Sequence, residues 1–247
     1  MERKIKPRIL AIDIETFPIR GFSWGLYEQN ILWVDKPSII CGFSAKWLGG
    51  KQTTKTLIDY PHNPANWSDT HIVKELWKFF DKADIIIAQN GDNFDIKMIN
   101  TEFIKHGLPP PSPYKTVDTL KSARRVFKFP SNKLDDLGAQ LKVGRKIEHE
   151  GKGLWRKCME NDRKAWIEMK KYNAQDVILL EKVYQKFLPW MVNSPLRHFM
   201  SKQSYSCPNC GSSHSHRKGY EWGNGKKYLR MHCMDCGAWG KDYKAIK

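Results

Sequence analysis

Residues 8 to 18, RILAIDIETFP, constrain this chain most, because two carboxylates interrupt a run of strand-forming aliphatic residues. Side chains of a strand alternate between its faces, so Asp13 and Glu15 point to one side and the aliphatic residues around them point to the other. Two ionised, partly buried carboxylates on one face repel each other and destabilise the fold. A divalent cation between them would remove that repulsion, and the alternative is an exposed sheet edge with two solvated acids.

The overall composition favours a globular protein with a polyanionic partner. The chain has 247 residues, 40% of them hydrophobic, which suits one medium domain or a domain with a small appendage and excludes disorder. Its 42 Lys and Arg outnumber 26 Asp and Glu, a balance that favours nucleic acid over mere solubility. No apolar stretch approaches the ~18 residues of a membrane span, and no secretory signal is recognisable, so we expect a cytoplasmic protein without a membrane partner.

The order of predicted elements indicates an α/β fold with a mixed sheet flanked by helices. Strands are predicted at 8–15, 21–34, 38–50, 52–60, 85–90 and 114–120, the fifth of them parallel to the first. Helices are predicted at 68–84, 93–107, 120–127, 131–144 and 162–188, the last either as one helix or as two that meet near Tyr172. Residues 148–162 are predicted to be a loop.

Two further acidic features follow in the chain. In AQNGDNFD a buried strand ends at Asn90, and Asp95 falls in the first turn of a helix, where α/β proteins place ligands but where Asp is also common as ordinary helix-start chemistry. In YNAQD, Tyr172 and Asp176 are four residues apart and share a helix face. The alternative for this pair is a core-edge aromatic and a surface acid.

Together these motifs resemble the DEDD-type 3′→5′ exonucleases on an RNase H-like fold, in particular the proofreading exonuclease domain of family B DNA polymerases. The resemblance rests on D-x-E in DIET, N-x-x-x-F-D as NGDNFD and Y-x-x-x-D as YNAQD, in order over roughly residues 8 to 190. The residue five before Asp176 is Lys171 and not His, whereas Tyr172 matches the tyrosine variant. With no polymerase domain in the sequence, we expect a free-standing exonuclease, of the kind often encoded by phages, in the cytoplasm of a prokaryotic or phage-infected host.

The resemblance implies a catalytic site with two Mg²⁺ or Mn²⁺ ions, which prefer oxygen ligands. By this resemblance Asp13 bridges both ions, Glu15 and Asp176 complete the ion that activates water, and Asp95 holds the second ion. Tyr172 is implied to orient the attacking water by its hydroxyl group.

Four other residues are candidates for contact with the nucleic acid. Phe22, Trp24 and Phe94 are predicted to stack on or wedge terminal bases, with burial in the core as the alternative. Asn90 is predicted to support the site or the substrate and not to bind metal.

The C-terminal cysteines form C-x₂-C, 22 residues, C-x₂-C, namely Cys207, Cys210, Cys233 and Cys236. This pairing predicts a closed, structural Zn²⁺ site. CPNCG and CMDCG also resemble the knuckles of zinc ribbons. The other two cysteines, Cys41 and Cys158, are predicted to be buried small hydrophobes, and the histidines at 214, 216 and 232 to be surface residues.

Three units are therefore predicted: an RNase H-like exonuclease domain at 1–191, a linker at 192–204 and a four-cysteine zinc ribbon at 205–247. The ribbon hairpin interleaves basic and aromatic residues, which favours nucleic-acid binding over protein docking or a solvated face. The basic side chains are those of 217, 218, 226, 227 and 230, and the aromatic ones are those of 220, 222 and 228.

The predicted function is hydrolysis of phosphodiester bonds of DNA, with RNA as the other possible substrate, from single-stranded 3′ ends to release nucleoside 5′-monophosphates. Two alternatives stay open. One is a structure-specific RNase H-like endonuclease, and the other is a non-catalytic nucleic-acid-binding or recruitment protein on the same fold.

Overall fold

The computed structural model describes residues 7–27, 30–192, 194–199 and 205–246. The strands are β1 (Ile9–Thr16), β2 (Arg20–Phe22), β3 (Trp33–Lys36), β4 (Ile40–Trp47), β5 (Gln52–Thr56), β6 (Ile85–Ala88), β7 (Lys115–Asp118), β8 (Ser215–Gly223), β9 (Lys226–Cys233) and β10 (Trp239–Ile246). The α-helices are α1 (Thr70–Lys82), α2 (Asp95–Lys105), α3 (Thr119–Val126), α4 (Leu134–Gln140), α5 (Lys152–Met159) and α6 (Arg163–Phe187).

The central sheet is mixed and has the strand order β5-β4-β1-β6-β7. Strand β1 pairs antiparallel with β4 and parallel with β6, and β6 pairs parallel with β7. The predicted parallel pairing of the first strand with the strand after α1 is therefore confirmed. The carboxylate-bearing strand lies in the middle of the sheet, so both of its faces are covered.

The two faces of β1 pack into different parts of the core. Leu10, Ile12 and Ile14 pack with buried residues of α1 and α2, among them Leu76 and Phe103. On the other face, Ala11 packs with buried residues of the second half of α6 and with α3 and α4. The predicted α/β class, a mixed sheet flanked by helices, is confirmed.

Two local predictions are wrong, and a third that left two options open is now decided. Residues 148–162 contain α5 and are not all loop, because Leu154 and Cys158, four apart, are both buried on one helix face among many polar residues. Residues 162–188 are helical as predicted, and they form one helix, α6, which the side chain of Asp162 caps. Residues 21–34 form no continuous strand, since β2 and β3 pair as a hairpin around an exposed apolar segment.

Asp69 links three elements on the α1–α2 side of the sheet. This buried carboxylate accepts hydrogen bonds from the backbone N–H of Ile40 (3.0 Å) and from the ring of His106 (2.8 Å). It therefore joins the start of α1 to β4 and to the end of α2.

The C-terminal part forms a separate three-stranded antiparallel sheet in the order β10-β9-β8. The β8–β9 hairpin turns at Asn224 and Gly225, which both have positive φ (50° and 71°), as expected for an Asn-Gly hairpin turn. Within the predicted linker, residues 195–199 form a short 3₁₀ helix whose Leu196 is buried, and residues 193 and 200–204 lie outside the described residues. The three-unit division stays a prediction. In the described ranges, no helix is both long and apolar enough to cross a bilayer.

Candidate active site and cysteine cluster

Three carboxylates from two elements form the centre of the candidate site. Asp13 and Glu15 project from β1 toward α6, and Asp176 projects from α6 toward β1. One oxygen of each carboxylate lies within 4.8 Å of the others. The strand alternation and the helix together therefore produce the acidic cluster.

Asp95 lies beside this cluster but is not a member of it. It sits in the first turn of α2, is buried, and accepts a hydrogen bond from the backbone N–H of Ile14 (3.2 Å). Ile14 separates the two acids of β1, so Asp95 is fixed against the same strand segment.

Lys146 is a site residue that the sequence analysis missed. Its amine donates hydrogen bonds to Asp176 Oδ2 (2.5 Å) and to the hydroxyl oxygen of Tyr172 (3.1 Å). Lys146 lies in the irregular segment between α4 and α5. No periodic pattern marks it, and only the fold brings it to the carboxylates.

Asn173 was also missed, although it lies within the YNAQD motif. Its side-chain amide is buried and donates a hydrogen bond to Asp13 Oδ2 (2.6 Å). The available signal was its spacing, since a residue three positions before Asp176 shares its helix face. Asn173 holds the carboxylate of Asp13 in place.

Burial raises the pKa of every carboxyl in the site, and repulsion between the site carboxylates adds to this for Asp13 and Glu15. Burial is the largest cause for Asp13, followed by Glu15, Asp95 and Asp176, and the pKa rises well above its usual value. Burial and then Asp176 raise the pKa of Glu15 to about 8. Burial raises the pKa of Asp95 to about 6 and also raises that of Asp176, which Lys146 opposes. The site therefore carries more negative charge than its own residues neutralise.

The donor set fits a divalent cation. Oδ1 of Asp176 is buried and has no hydrogen-bond partner among the described residues, and the same holds for Oδ1 of Asn173. Lys146 supplies one positive charge against the clustered carboxylates. Carboxylate oxygens are the ligands that Mg²⁺ and Mn²⁺ prefer, so the residues present suit either ion.

The sequence profile of the RNase H superfamily matches residues 35–188 of this chain. The chain belongs to the RNase H superfamily. The matched range contains Asp95, Tyr172 and Asp176, and it begins after β1 with its two acids. A search of curated protein sequences finds no match.

Among solved structures, this RNase H superfamily chain is similar to the family B DNA polymerase from the hyperthermophilic archaeon Pyrobaculum calidifontis. The likeness has a TM-score of 0.53 at 16% identity and covers 91% of this chain and 32% of the polymerase chain. The chain thus spans about a third of that polymerase's length, and the likeness concerns the fold.

A cleft of about 670 Å³ opens beside the carboxylates of this RNase H superfamily domain. Asp13, Asn90 and Lys146 line it, together with the basic side chains of Arg124 and Lys133. Asn90 adopts a positive φ of 59°, which turns the chain sharply after β6. The cleft therefore combines the acidic site with positively charged walls.

The three predicted stacking residues are all exposed to solvent. Phe94 lies directly before α2 and is half exposed. Phe22 stacks on Trp33 in the β2–β3 hairpin, with ring centroids 5.0 Å apart, and Trp24 is 86% exposed near the hairpin tip. The hairpin follows the carboxylate strand in the chain, and base stacking by these residues stays a prediction.

The four C-terminal cysteines come together as predicted from their spacing. The four Sγ atoms all lie within 4.8 Å of one another. The hydrogen bond between Cys207 and Cys210 lowers the pKa of Cys207 to about 5 and raises the pKa of Cys210, so a neighbouring thiol stabilises one thiolate of the cluster. Cys41 and Cys158 are buried elsewhere, in agreement with the prediction for them.

The three histidines near this cluster are not part of it. His214 and His216 are exposed, and the ring of His214 is hydrogen-bonded to Asp235 (2.8 Å). His232 is only partly exposed and stacks on Trp239. The surface assignment therefore fits the first two histidines better than the third.

The raised pKa values predict a pH-dependent stability of the protein without Mg²⁺ or Mn²⁺. A carboxyl whose pKa is raised on folding stabilises the fold while protonated, so stability should fall as the pH rises through about 6 for Asp95 and about 8 for Glu15. Between its ordinary pKa and the raised one, each such carboxyl lowers the free energy of unfolding by about 1.4 kcal/mol per pH unit. Urea unfolding at several pH values measures this slope.

Added Mn²⁺ should flatten that slope, and the Glu15→Gln variant should show a smaller slope without metal. An unfolding free energy that is independent of pH between 5 and 8 in the metal-free wild type would contradict the raised pKa of about 8 for Glu15.

Proposed function

We propose that this protein is a two-metal-ion 3′→5′ exonuclease of the DEDD type, tyrosine variant, acting on DNA. The observation that carries the proposal is the cluster of Asp13, Glu15 and Asp176, with Asp95 against the same strand and the Tyr172 hydroxyl one helical turn before Asp176. Membership of the RNase H superfamily and the fold shared with a family B polymerase support it.

Asp13, Glu15 and Asp176 would hold one divalent cation, and Asp13 with Asp95 would hold a second. When bound, the two cations stabilise negative charge on the attacking and leaving oxygens of phosphodiester hydrolysis. Asn173 keeps Asp13 oriented through its 2.6 Å hydrogen bond. The carboxylates thus place the scissile phosphate between β1, α2 and α6.

Tyr172 orients the attacking water through its hydroxyl group and does not remove its proton. Burial and the neighbouring Asp176 raise the pKa of Tyr172, so the phenol stays protonated near neutral pH. Lys146 donates to both groups and holds the hydroxyl next to the carboxylate. Positioning of water is the chemistry available to a neutral phenol here.

The substrate proposed is the single-stranded 3′ end of DNA, and the product is a nucleoside 5′-monophosphate. Arg124 and Lys133 line the cleft and would contact phosphates, and Asn90 and Phe94 would contact the terminal nucleotides. Phe22 and Trp24 are proposed to stack on bases that approach the hairpin. The net charge of +16 supports a nucleic-acid substrate.

We also propose that the four cysteines bind one structural Zn²⁺. Four cysteine ligands would fill the tetrahedral coordination of the ion, so no coordination position would be left for a substrate. The ion would hold the β8–β10 sheet together and take no part in the hydrolysis.

The test uses 5′-labelled single-stranded DNA and RNA oligonucleotides with Mg²⁺ or Mn²⁺, resolved at single-nucleotide steps. A ladder that shortens from the 3′ end, and that the Asp13→Asn variant does not produce, is the expected result. Cleavage of oligonucleotides with a blocked 3′ end would instead identify an endonuclease. Binding without metal-dependent cleavage would identify a non-catalytic nucleic-acid-binding protein.

The Tyr172→Phe variant should slow hydrolysis by roughly 10- to 100-fold, because it loses the water-orienting hydroxyl. Mn²⁺ affinity, measured by titration calorimetry, should stay within about twofold of wild type since the carboxylates are intact. Tyr60→Phe is the matched control, because the Tyr60 hydroxyl also hydrogen-bonds a carboxylate, that of Glu75. Equal rates for Tyr172→Phe and wild type would exclude the proposed role of the hydroxyl.

A further inference from the structure

The C-terminal sheet has one face formed by aromatic and basic side chains. This ribbon face is made of His216, Tyr228, Arg230, His232, Trp239 and Lys241. We propose that the ribbon face is a binding site for single-stranded nucleic acid, separate from the cleft. This proposal rests on the proposed function, because the nucleic-acid strand bound by the ribbon face is the one whose 3′ end enters the cleft.

Strand register places these side chains on one side of the sheet. His232 of β9 lies directly opposite His216 of β8 and opposite Trp239 of β10, and Arg230 lies opposite Lys241. Directly paired residues of neighbouring strands point to the same face. Positions 228, 230 and 232 of β9 all point to that face, because every second residue of a strand lies on the same side.

The aromatic rings of the ribbon face are already arranged with cations above them. Trp239 stacks on His232 with ring centroids 4.5 Å apart. The guanidinium of Arg230 lies 5.2 Å from the Trp239 ring centre, and the amine of Lys241 lies 4.7 Å from that of Tyr228. In such an arrangement a nucleic-acid base can stack on an aromatic ring while its phosphate binds a neighbouring cation.

Arg230 is held in place by the sheet itself. Its Nε donates a hydrogen bond to the carbonyl oxygen of Lys218 (2.8 Å), and its guanidinium packs beside Gly219 at the β8 irregularity. Arg230 is nevertheless exposed to solvent. A positioned, exposed guanidinium binds a phosphate at a smaller entropic cost than a freely moving one.

The opposite face of the same sheet is partly occupied by the protein. Met231 is buried there, and it pairs with Gly240. A Cβ at Gly240 would meet the Tyr205 hydroxyl at 2.7 Å and the Pro208 ring at 3.1 Å. The first cysteine knuckle therefore covers that side, whereas Trp239 on the ribbon face is half exposed.

Charge favours a nucleic acid over a protein partner. Residues 205–246 contain seven Lys and Arg against three Asp and Glu. One acid, Glu221, borders the ribbon face, because it lies opposite Tyr228 and 3.7 Å from the amine of Lys241. The excess positive charge complements a phosphate backbone, and the exposed rings complement unpaired bases.

The ribbon is joined to the nuclease domain next to the catalytic helix. The buried side-chain amide of Asn209 donates hydrogen bonds to the carbonyl oxygens of Leu188 (2.7 Å) and Met191 (3.2 Å), just after α6. A strand held by the ribbon face is therefore tethered to the molecule that carries the cleft. Such tethering raises the effective concentration of its 3′ end at the site.

The experiment measures binding of a fluorescent oligothymidine, long enough to reach both sites, to the Asp13→Asn protein at several salt concentrations. Adding Trp239→Ala should weaken binding about 5- to 150-fold, as loss of one stacked base does. Adding Arg230→Gln with Lys241→Gln should reduce the slope of log K against log salt by about 1.4. Trp190→Ala, which removes an exposed tryptophan outside the ribbon sheet, should change neither quantity.

Unchanged affinity and salt slope in the Trp239→Ala and double-Gln variants, with the zinc content of the parent, would overturn the proposal and assign the face to a protein partner. If Trp239→Ala loses zinc, the double-Gln variant decides alone. The measurement needs no turnover. Failure of the exonuclease proposal appears as a missing ladder with binding intact, and failure of this one appears as normal binding in the ribbon variants.

Discussion

The Asp13→Asn variant is expected to lose at least about 10³-fold in nuclease activity while staying folded. Loss of one ligand shared by both cations removes several kcal/mol of transition-state stabilisation, and each 1.36 kcal/mol is tenfold in rate. Asn keeps the shape of the side chain and an oxygen that accepts from Asn173, whose bond to Asp13 is 2.6 Å. Steady-state cleavage of a labelled oligonucleotide in saturating Mn²⁺ measures the loss.

The same variant should be more stable than wild type without Mg²⁺ or Mn²⁺. Burial, and then repulsion by the neighbouring acids, raise the pKa of Asp13, so the folded wild type must either bury an unfavourable charge or take up a proton. A neutral side chain removes this penalty. This combination, lower activity with higher stability, distinguishes a metal ligand from a residue needed for folding. Thermal unfolding at pH 8 tests it.

Asp69→Asn is the matched control for a buried acid outside the site. Asp69 accepts hydrogen bonds from Ile40 and His106, so its replacement should reduce stability and leave the activity of the folded protein unchanged. Wild-type activity in Asp13→Asn, or equal loss of activity in both variants, would contradict the proposed metal site.

The Cys233→Ser variant is expected to lose zinc and to unfold residues 205–246. The buried apolar cluster of this sheet consists of Cys207, Cys233 and Ala238 among the described residues, which is too small to stabilise three strands. Binding of structural zinc contributes on the order of 10 kcal/mol to the folding of such small units. Zinc per chain and limited proteolysis measure the two effects, with cleavage expected within the ribbon.

Cys158→Ala serves as the control, since Cys158 is buried in α5 and lies outside the four-cysteine cluster. It should retain one zinc per chain and a protease-resistant ribbon. A Cys233→Ser protein with full zinc content, or a wild-type protein that never binds zinc, would show that the four thiols serve another purpose.

Local patterns in the sequence predicted the elements that repeat at short range. The alternation of acids and aliphatic residues in β1 indicated both the strand and its acidic face, because neighbouring side chains of a strand necessarily point apart. The C-x₂-C pairs likewise indicated a metal site, because two cysteines at that spacing can bind one ion. Each of these signals lies within a few residues of chain.

The secondary-structure prediction failed where few buried residues lie among many polar ones. In α5, Leu154 and Cys158 supply the buried helix face among charged neighbours, and their spacing was too brief a signal to separate helix from loop. In α6, the sequence predicted helix but left open one helix or two, and buried residues along the whole length show one continuous helix.

By itself, the sequence determined the acidic strand, the order of the central-sheet strands with the helices between them, and the four-cysteine motif, because these depend on backbone periodicity and short spacings. Only the tertiary structure decided that Lys146, from an irregular segment, pairs with Asp176, and that Asn173 orients Asp13. It also placed Trp239 of β10 beside Arg230 of β9. Contacts between residues far apart in the chain depend on sheet register and helix packing, which no local pattern specifies.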